Sequence, residues 1–176
     1  MPATATRTTQ IPFPSRAGYT CIPALTEDDL EWIASKLSKW NVVELGAGTG
    51  WLSDQLHQRG IKILATDLWL PRQNPYQLHR HHCYIKEISA KEAVTSYLNA
   101  DCFLCSWPCY GESWAAEALA SIPKGAEFLY IGQERDGLCA NTEFFDILEE
   151  NYNLLDALPA TLLREKSVIQ HYQRKS

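Results

Sequence analysis

Residues 42–52 read Val42-Val43-Glu44-Leu45-Gly46-Ala47-Gly48-Thr49-Gly50-Trp51-Leu52, and the remainder of the chain is placed around them. Two β-branched residues, an acid and a leucine predict a short buried strand. Three alternating glycines then break it, and Trp51, Leu52 and Leu56 open an amphipathic helix. Glycine tolerates positive φ and lets a ligand lie against the backbone. A strand, a tight turn and a helix start also present amide N–H groups and the positive end of a helix dipole. The functional reading is a cofactor loop. The plainer one is an ordinary strand-to-helix turn, because a glycine pattern by itself occurs in both.

The spacing narrows the choice of cofactor. The dinucleotide fingerprint needs G-x-G-x-x-G, its last glycine permitting close helix–strand packing. Here the third glycine comes one residue early and Trp51 stands in the final place, which disfavours NAD and FAD. No Lys-Ser or Lys-Thr follows the glycines, so a Walker loop is excluded. Glu44-Leu45-Gly46-Ala47-Gly48-Thr49-Gly50 resembles the E-x-G-x-G-x-G motif of the class I S-adenosylmethionine-dependent methyltransferases at each defined position. The resemblance implies that residues 46–50 lie under the methionine part of the cofactor. It also implies that Glu44 helps hold the cationic amino end, usually through water.

Composition sets outer limits. The chain has 176 residues, 45% apolar and 21% charged, the profile of one soluble globular domain with a sizeable core. A net charge of −5 argues against sequence-independent binding of nucleic acid. No apolar run approaches the ~20 residues needed to cross a bilayer. Residues 1–15 read as a flexible tail rich in Thr, Ala and Pro, without the apolar core of a secretory signal, and residues 16–176 as a single domain. Of six cysteines, Cys102 and Cys105 form a C-x-x-C inside an expected strand. Residues three apart on a strand face opposite ways and cannot share a metal. Buried reduced thiols are expected, and with them a cytosolic setting.

Outward from the loop, Thr26 is the expected N-cap of a first helix, with acids in its first turn, a Leu25–Leu30 staple, and an end near Trp40. The helix after the glycines is expected to stop at Gly60, and Ile61–Asp67 to be the second strand. Asp67 lies 21 residues after Gly46, close to the spacing of about 20 at which an acid at a strand tip reaches ribose hydroxyls. Leu68 stands beside it. Residues 70–82 read as a loop. Its end, His79, His81, His82 and Cys83, lacks a partner cluster at ligand spacing, so no metal is expected. Cys83–Glu87 is the third strand. Ser89-Ala90-Lys91-Glu92 has the form of a capping box leading a helix with Ala93, Val94, Tyr97 and Leu98 inward. Many of the methyltransferases carry an aspartate for the adenine amino group where Ser89 stands; Ile88 is the expected ring contact.

Asp101–Ser106 is the fourth strand, and Ser106-Trp107-Pro108-Cys109-Tyr110 follows at its C-terminal end, where open α/β sheets bind ligands. This block resembles the [D/N/S]-P-P-[Y/F] motif of methyltransferases acting on planar nitrogen. By that resemblance Ser106 or Trp107 offers a polar contact to the target amino group, Pro108 shapes the turn, and Tyr110 stacks on the acceptor. The inserted tryptophan and the cysteine in place of the second proline depart from the motif, and a rigid turn flanked by packing aromatics is the plainer reading. Residues 111–120 are expected to be helical with Trp114 on the buried stripe, and Ala126–Ile131 to be the fifth strand. Glu134, in the polar loop after it, is the candidate second acid. Asn141 or Thr142 caps a last helix, and 153–158 with 167–173 form a closing antiparallel pair.

The expected architecture is thus α/β: a Rossmann-like methyltransferase fold, a mostly parallel seven-stranded sheet with a C-terminal antiparallel hairpin and helices on both faces. The expected activity is methyl transfer from S-adenosyl-L-methionine to a small acceptor, with nitrogen favoured by the motif. Tyr19 and the N-terminal segment stand as a cover for the acceptor site. The alternatives are a catalytically silent cofactor-binding module and a protein partner that activates another methyltransferase.

Overall fold

The computed structural model describes residues 25–68, 82–159 and 167–176. The tail, Tyr19 and residues 69–81 lie outside them, so the expectations for those segments have no structural counterpart here. The elements run α1 (Glu27–Leu37), β1 (Asn41–Leu45), α2 (Trp51–Gln58), β2 (Lys62–Asp67), β3 (Ile85–Glu87), α3 (Ala90–Ser96), β4 (Cys102–Ser106), α4 (Trp114–Ser121), β5 (Glu127–Gln133), α5 (Thr142–Asn151), β6 (Tyr152–Pro159) and β7 (Ser167–Arg174). The sheet order is β3-β2-β1-β4-β5-β7-β6. β1 to β5 run parallel, and β7 inserts antiparallel between β5 and β6.

Strand alternation distributes the core over two layers. Val43, Leu45, Phe103, Cys105, Phe128 and Tyr130 face α3, α4 and α5. Val42, Cys102, Leu104, Leu129 and Ile131 face α1 and α2. Cys102 and Cys105 therefore point into opposite layers, and both are reduced and buried. Burial pushes both thiols well up from the ordinary range.

Local chemistry explains most boundaries. Thr26 Oγ1 accepts from the Asp29 amide at 3.1 Å and Asp29 Oδ2 from the Thr26 amide at 2.8 Å, a complete capping box. Asn141 caps α5 by accepting from the Phe144 amide at 2.9 Å. Four expectations are corrected. α1 stops at Leu37, short of Trp40. α3 closes at Tyr97, whose φ of −120° leaves the helix, and Leu98 is therefore exposed instead of inward. Trp114 opens α4, three residues later than expected, because Gly111 is held in a left-handed turn by its amide bond to the Ala140 carbonyl. β5 continues two residues beyond Ile131, since Gly132 and Gln133 pair with Val168 and Ser167.

One side chain packs along that extension. Tyr130 lies forward along its strand, and its hydroxyl donates to the Gln133 carbonyl at 2.6 Å. A Cβ at position 132 would stand 2.4 Å from the Tyr130 hydroxyl oxygen. Gly132→Ala is expected to displace the buried hydroxyl and destabilise the fold by about 1–3 kcal/mol. Measured by thermal melting, the same substitution should cost less in a Tyr130→Phe background.

Candidate active site

The chain leaves β1 towards β2 and β3 on one side and returns to β4 on the other, so β1 and β4 flank the switch point of the sheet. The glycine loop sits at that point. Gly46, Gly48 and Gly50 have φ of 73°, 57° and 75°, three left-handed residues in five. No side chain caps α2, whose N-cap is Gly50 itself.

The three glycines do different jobs. A Cβ at Gly46 would stand 2.6 Å from the Trp114 ring, and one at Gly50 would stand 2.7 Å from Cys83 Sγ. At Gly48 a Cβ would meet nothing within 4 Å. Gly48 is thus the place where the loop opens, and its neighbours are closed by packing. Trp51 is 7% exposed and lies in the core layer of α1 and α2, clear of that opening.

The loop amides differ from expectation. Gly46 and Ala47 both donate to the Thr66 carbonyl, at 3.0 and 2.9 Å, and Gly50 donates to the Ala47 carbonyl at 2.8 Å. The Gly48 amide donates to Asp67 Oδ2 at 2.7 Å. These donors are committed within the protein, because the end of β2 lies alongside the turn and supplies acceptors. What the loop offers a ligand is close approach at Gly48 more than a set of open N–H groups. Asp67 is half-buried at the tip of β2, beside exposed Leu68. Among the described residues Thr49 Oγ1 is buried without a hydrogen-bond partner, while the Thr49 carbonyl accepts from His82 N.

Glu44 lies beneath the loop, only 2% exposed, with Ser53 Oγ donating to its carboxylate at 2.5 Å. Burial pushes its pKa up from 4.5 to about 7; the charge of Asp67 adds to the rise and the Ser53 bonds oppose it. Beyond β3, Ile88 is buried in the α3–α5 layer. Ser89 caps α3 by accepting from the Glu92 amide at 3.2 Å, which satisfies the capping half of its two readings.

At the end of β4, Ser106 Oγ is buried without a hydrogen-bond partner among the described residues. Trp107 has a left-handed φ of 54° and donates its amide to Ile131 O at 2.6 Å. Pro108 is buried, and its carbonyl accepts from the Ala140 amide at 2.9 Å. Tyr110 is 68% exposed, and Glu134 stands in solvent beyond β5, its carbonyl closing a turn with the Gly137 amide. The sheet therefore gathers Glu44, residues 46–50, Asp67 and Ser106–Pro108 at one edge, and leaves Tyr110 and Glu134 on its outer rim. Two neighbours were not anticipated. Trp114 closes over Gly46, and Gln133, buried at the end of β5, accepts the Leu138 amide at 2.7 Å. No spacing cue marks either one, since both contacts arise from tertiary packing.

The raised pKa of Glu44 gives a pH dependence of opposite sign to that of a salt-bridged carboxylate. Between pH 4.5 and about 7 the folded state holds a proton that the unfolded state has lost. Stability therefore falls as pH rises through that window, by about 3 kcal/mol for a shift of this size. Glu44→Gln is expected to flatten this decline, raising the melting temperature at pH 8 more than at pH 5.

The chain matches no protein-family model, and no curated protein sequence is significantly similar to it. Its fold does match solved structures. The 1,6-didemethyltoxoflavin-N1-methyltransferase of Burkholderia thailandensis, solved with its acceptor and S-adenosylhomocysteine, superposes with a TM-score of 0.57 at 15% identity, over 84% of this chain and 78% of that one. The N-methyltransferase NodS of Bradyrhizobium japonicum gives 0.56 at 13% identity, over 85% and 99%. The glycopeptide N-methyltransferase MtfA, in complex with S-adenosylhomocysteine, gives 0.57 at 13%, over 83% and 88%. With β7 inserted antiparallel into an otherwise parallel sheet and a glycine turn at its switch point, the chain has the fold of the class I S-adenosylmethionine-dependent methyltransferases.

Proposed function

We propose that this protein binds S-adenosylmethionine and transfers its methyl group to a small acceptor, with planar nitrogen the first class to test. The observation that carries the reading is the opening at Gly48, bonded to Asp67, after the strand that pairs with the one ending at Ser106. The residues fit the cofactor: a Cβ at Gly48 would enter the open space over the turn, and among the described residues the buried hydroxyls of Thr49 and Ser106 have no hydrogen-bond partner. Gly46–Gly50 would hold the methionine end, Asp67 and Leu68 the ribose, and Ile88 and Ser89 the adenine side. S-adenosylmethionine, when bound, supplies a methyl group already activated on a sulfonium.

The protein's own part is then placement and exclusion of water. Glu44, buried and near half-protonation at neutral pH, becomes a full carboxylate when a cationic group comes to rest above it. Ser106 Oγ is placed to accept a hydrogen bond from an acceptor N–H or O–H, and its burial makes it a better proton contact than exposed Glu134. Pro108 fixes the turn, and Trp107 with Trp114 screens the crevice from solvent.

One observation favours the alternative of a binding module without catalysis. The Pro108 carbonyl is bonded to Ala140 N, although the resemblance to amino-group methyltransferases calls for a backbone carbonyl at this turn to meet the acceptor. Cofactor binding without turnover on a panel of amines, thiols and small heterocycles would select this reading.

Calorimetry is expected to show binding of S-adenosylmethionine and S-adenosylhomocysteine and none of NAD; heat from NAD alone would overturn the proposal. Gly48→Asn, which keeps a left-handed φ at little cost but fills the opening, should weaken cofactor binding at least tenfold with a small change in melting temperature. Cofactor affinity should also rise between pH 6 and pH 8 as Glu44 ionises, and Glu44→Gln should remove that dependence. Ser106→Ala should lower turnover with little effect on cofactor affinity.

A further inference from the structure

We propose that Cys109 and Cys139 form a two-thiol modification site that reacts with a low-molecular-weight disulfide and closes to a cross-strand disulfide. The two residues stand opposite one another in an antiparallel bridge between the turn after β4 and the loop after β5. The Ala140 amide donates to the Pro108 carbonyl at 2.9 Å, so this bond joins the neighbours of the pair and not the pair itself. That is the narrow position of an antiparallel ladder, where Cα atoms lie about 4.5 Å apart. Disulfides span Cα separations of about 4.4–6.8 Å, so the backbone is already within reach. Side chains at opposed positions also leave the same face of the ribbon.

Burial orders the chemistry. Both residues are thiols, Cys109 exposed and Cys139 1% exposed. The outer sulfur can meet a reagent; the inner one, buried where it accepts from the Gln133 amide at 3.4 Å, is shielded from it. The turn is held in place for this by Pro108 and by the Gly111–Ala140 bond at 2.8 Å. Cys105 lies close enough to both for their charges to act on it, but its thiol is pushed well up, first by burial and then by Glu44, Cys139 and Cys109. It stays protonated and takes no part as a nucleophile.

The exchange balances in two steps. The Cys109 thiolate attacks one sulfur of the small disulfide, whose S–S bond breaks and releases one thiol. Cys139 then loses its proton and attacks the Cys109 sulfur, forming the protein disulfide and releasing the second thiol. Two protein thiols are oxidised and one small disulfide is reduced. The site rests on thiol chemistry alone and does not depend on the methyltransferase reading.

The test equilibrates the full chain with a large excess of oxidised glutathione and then blocks the remaining thiols. Tryptic peptide 136–164, in which Cys139 is the one cysteine, is expected to be joined to peptide 92–124, with a loss of two hydrogens. Because peptide 92–124 also holds Cys102 and Cys105, Cys109→Ser must abolish the join and Cys105→Ala must leave it. Cys139→Ala should instead accumulate a glutathione adduct on Cys109. A wild-type chain that keeps its circular dichroism spectrum and yields no joined peptides overturns the proposal, as does a join that survives Cys109→Ser.

Discussion

Three left-handed residues within five positions are a conformation that only glycine adopts without strain, and at this turn each is held by something different. Trp114 closes on Gly46, Cys83 and Ile85 close on Gly50, and Asp67 draws in the Gly48 amide. The turn is thus clamped from α4, from β3 with the residues just before it, and from β2. Those elements belong to both sides of the switch point, so docking them correctly and forming the loop are one event. The opening at Gly48 is the remainder of that geometry, the position in the turn where an added Cβ would meet none of the described residues.

The electrostatics of the edge follow from the same clamp. Committing the loop amides to Thr66 and Asp67 leaves the negative charge of Asp67 close above a buried Glu44. Burial is the larger cause of the raised Glu44 pKa and the Asp67 charge adds to it, so Glu44 takes up a proton near neutrality. A site that resists holding its own anions is one in which a bound cation gains most. An anionic pyrophosphate would meet the opposite: two acids at the same edge that oppose it.

Much of this was legible in the chain itself, for reasons that can be named. The loop, Asp67 and the caps at Thr26, Ser89 and Asn141 are short-range features, written in residues three or four apart or at a fixed spacing along one βαβ unit. The separation of Cys102 from Cys105 follows from strand periodicity alone. What escaped involves residues brought together from far apart. Trp114 reads as one more apolar position in a helical stripe, yet its ring lies on a glycine 68 positions earlier. The extra length of β5 is set by β7, and the exposure of Leu98 by where α3 happens to close. Motif logic also overstated the openness of the glycine turn, because it counts amides without asking which carbonyls lie beside them.

The placement of β7 has a bearing on biosynthesis. Among the described residues β6 joins the sheet through β7 alone, at its outer edge. A ribosome delivers β6 first, so that strand, with Leu154 and Leu155 exposed, has no ladder to enter until residues 167–174 have left the exit tunnel. Through that interval the nascent polypeptide carries an apolar ribbon with unsatisfied amides, and β5 waits with a bare edge beside it. The order of synthesis thus leaves an apolar strand uncovered until β7, made after it, fills the place between it and β5.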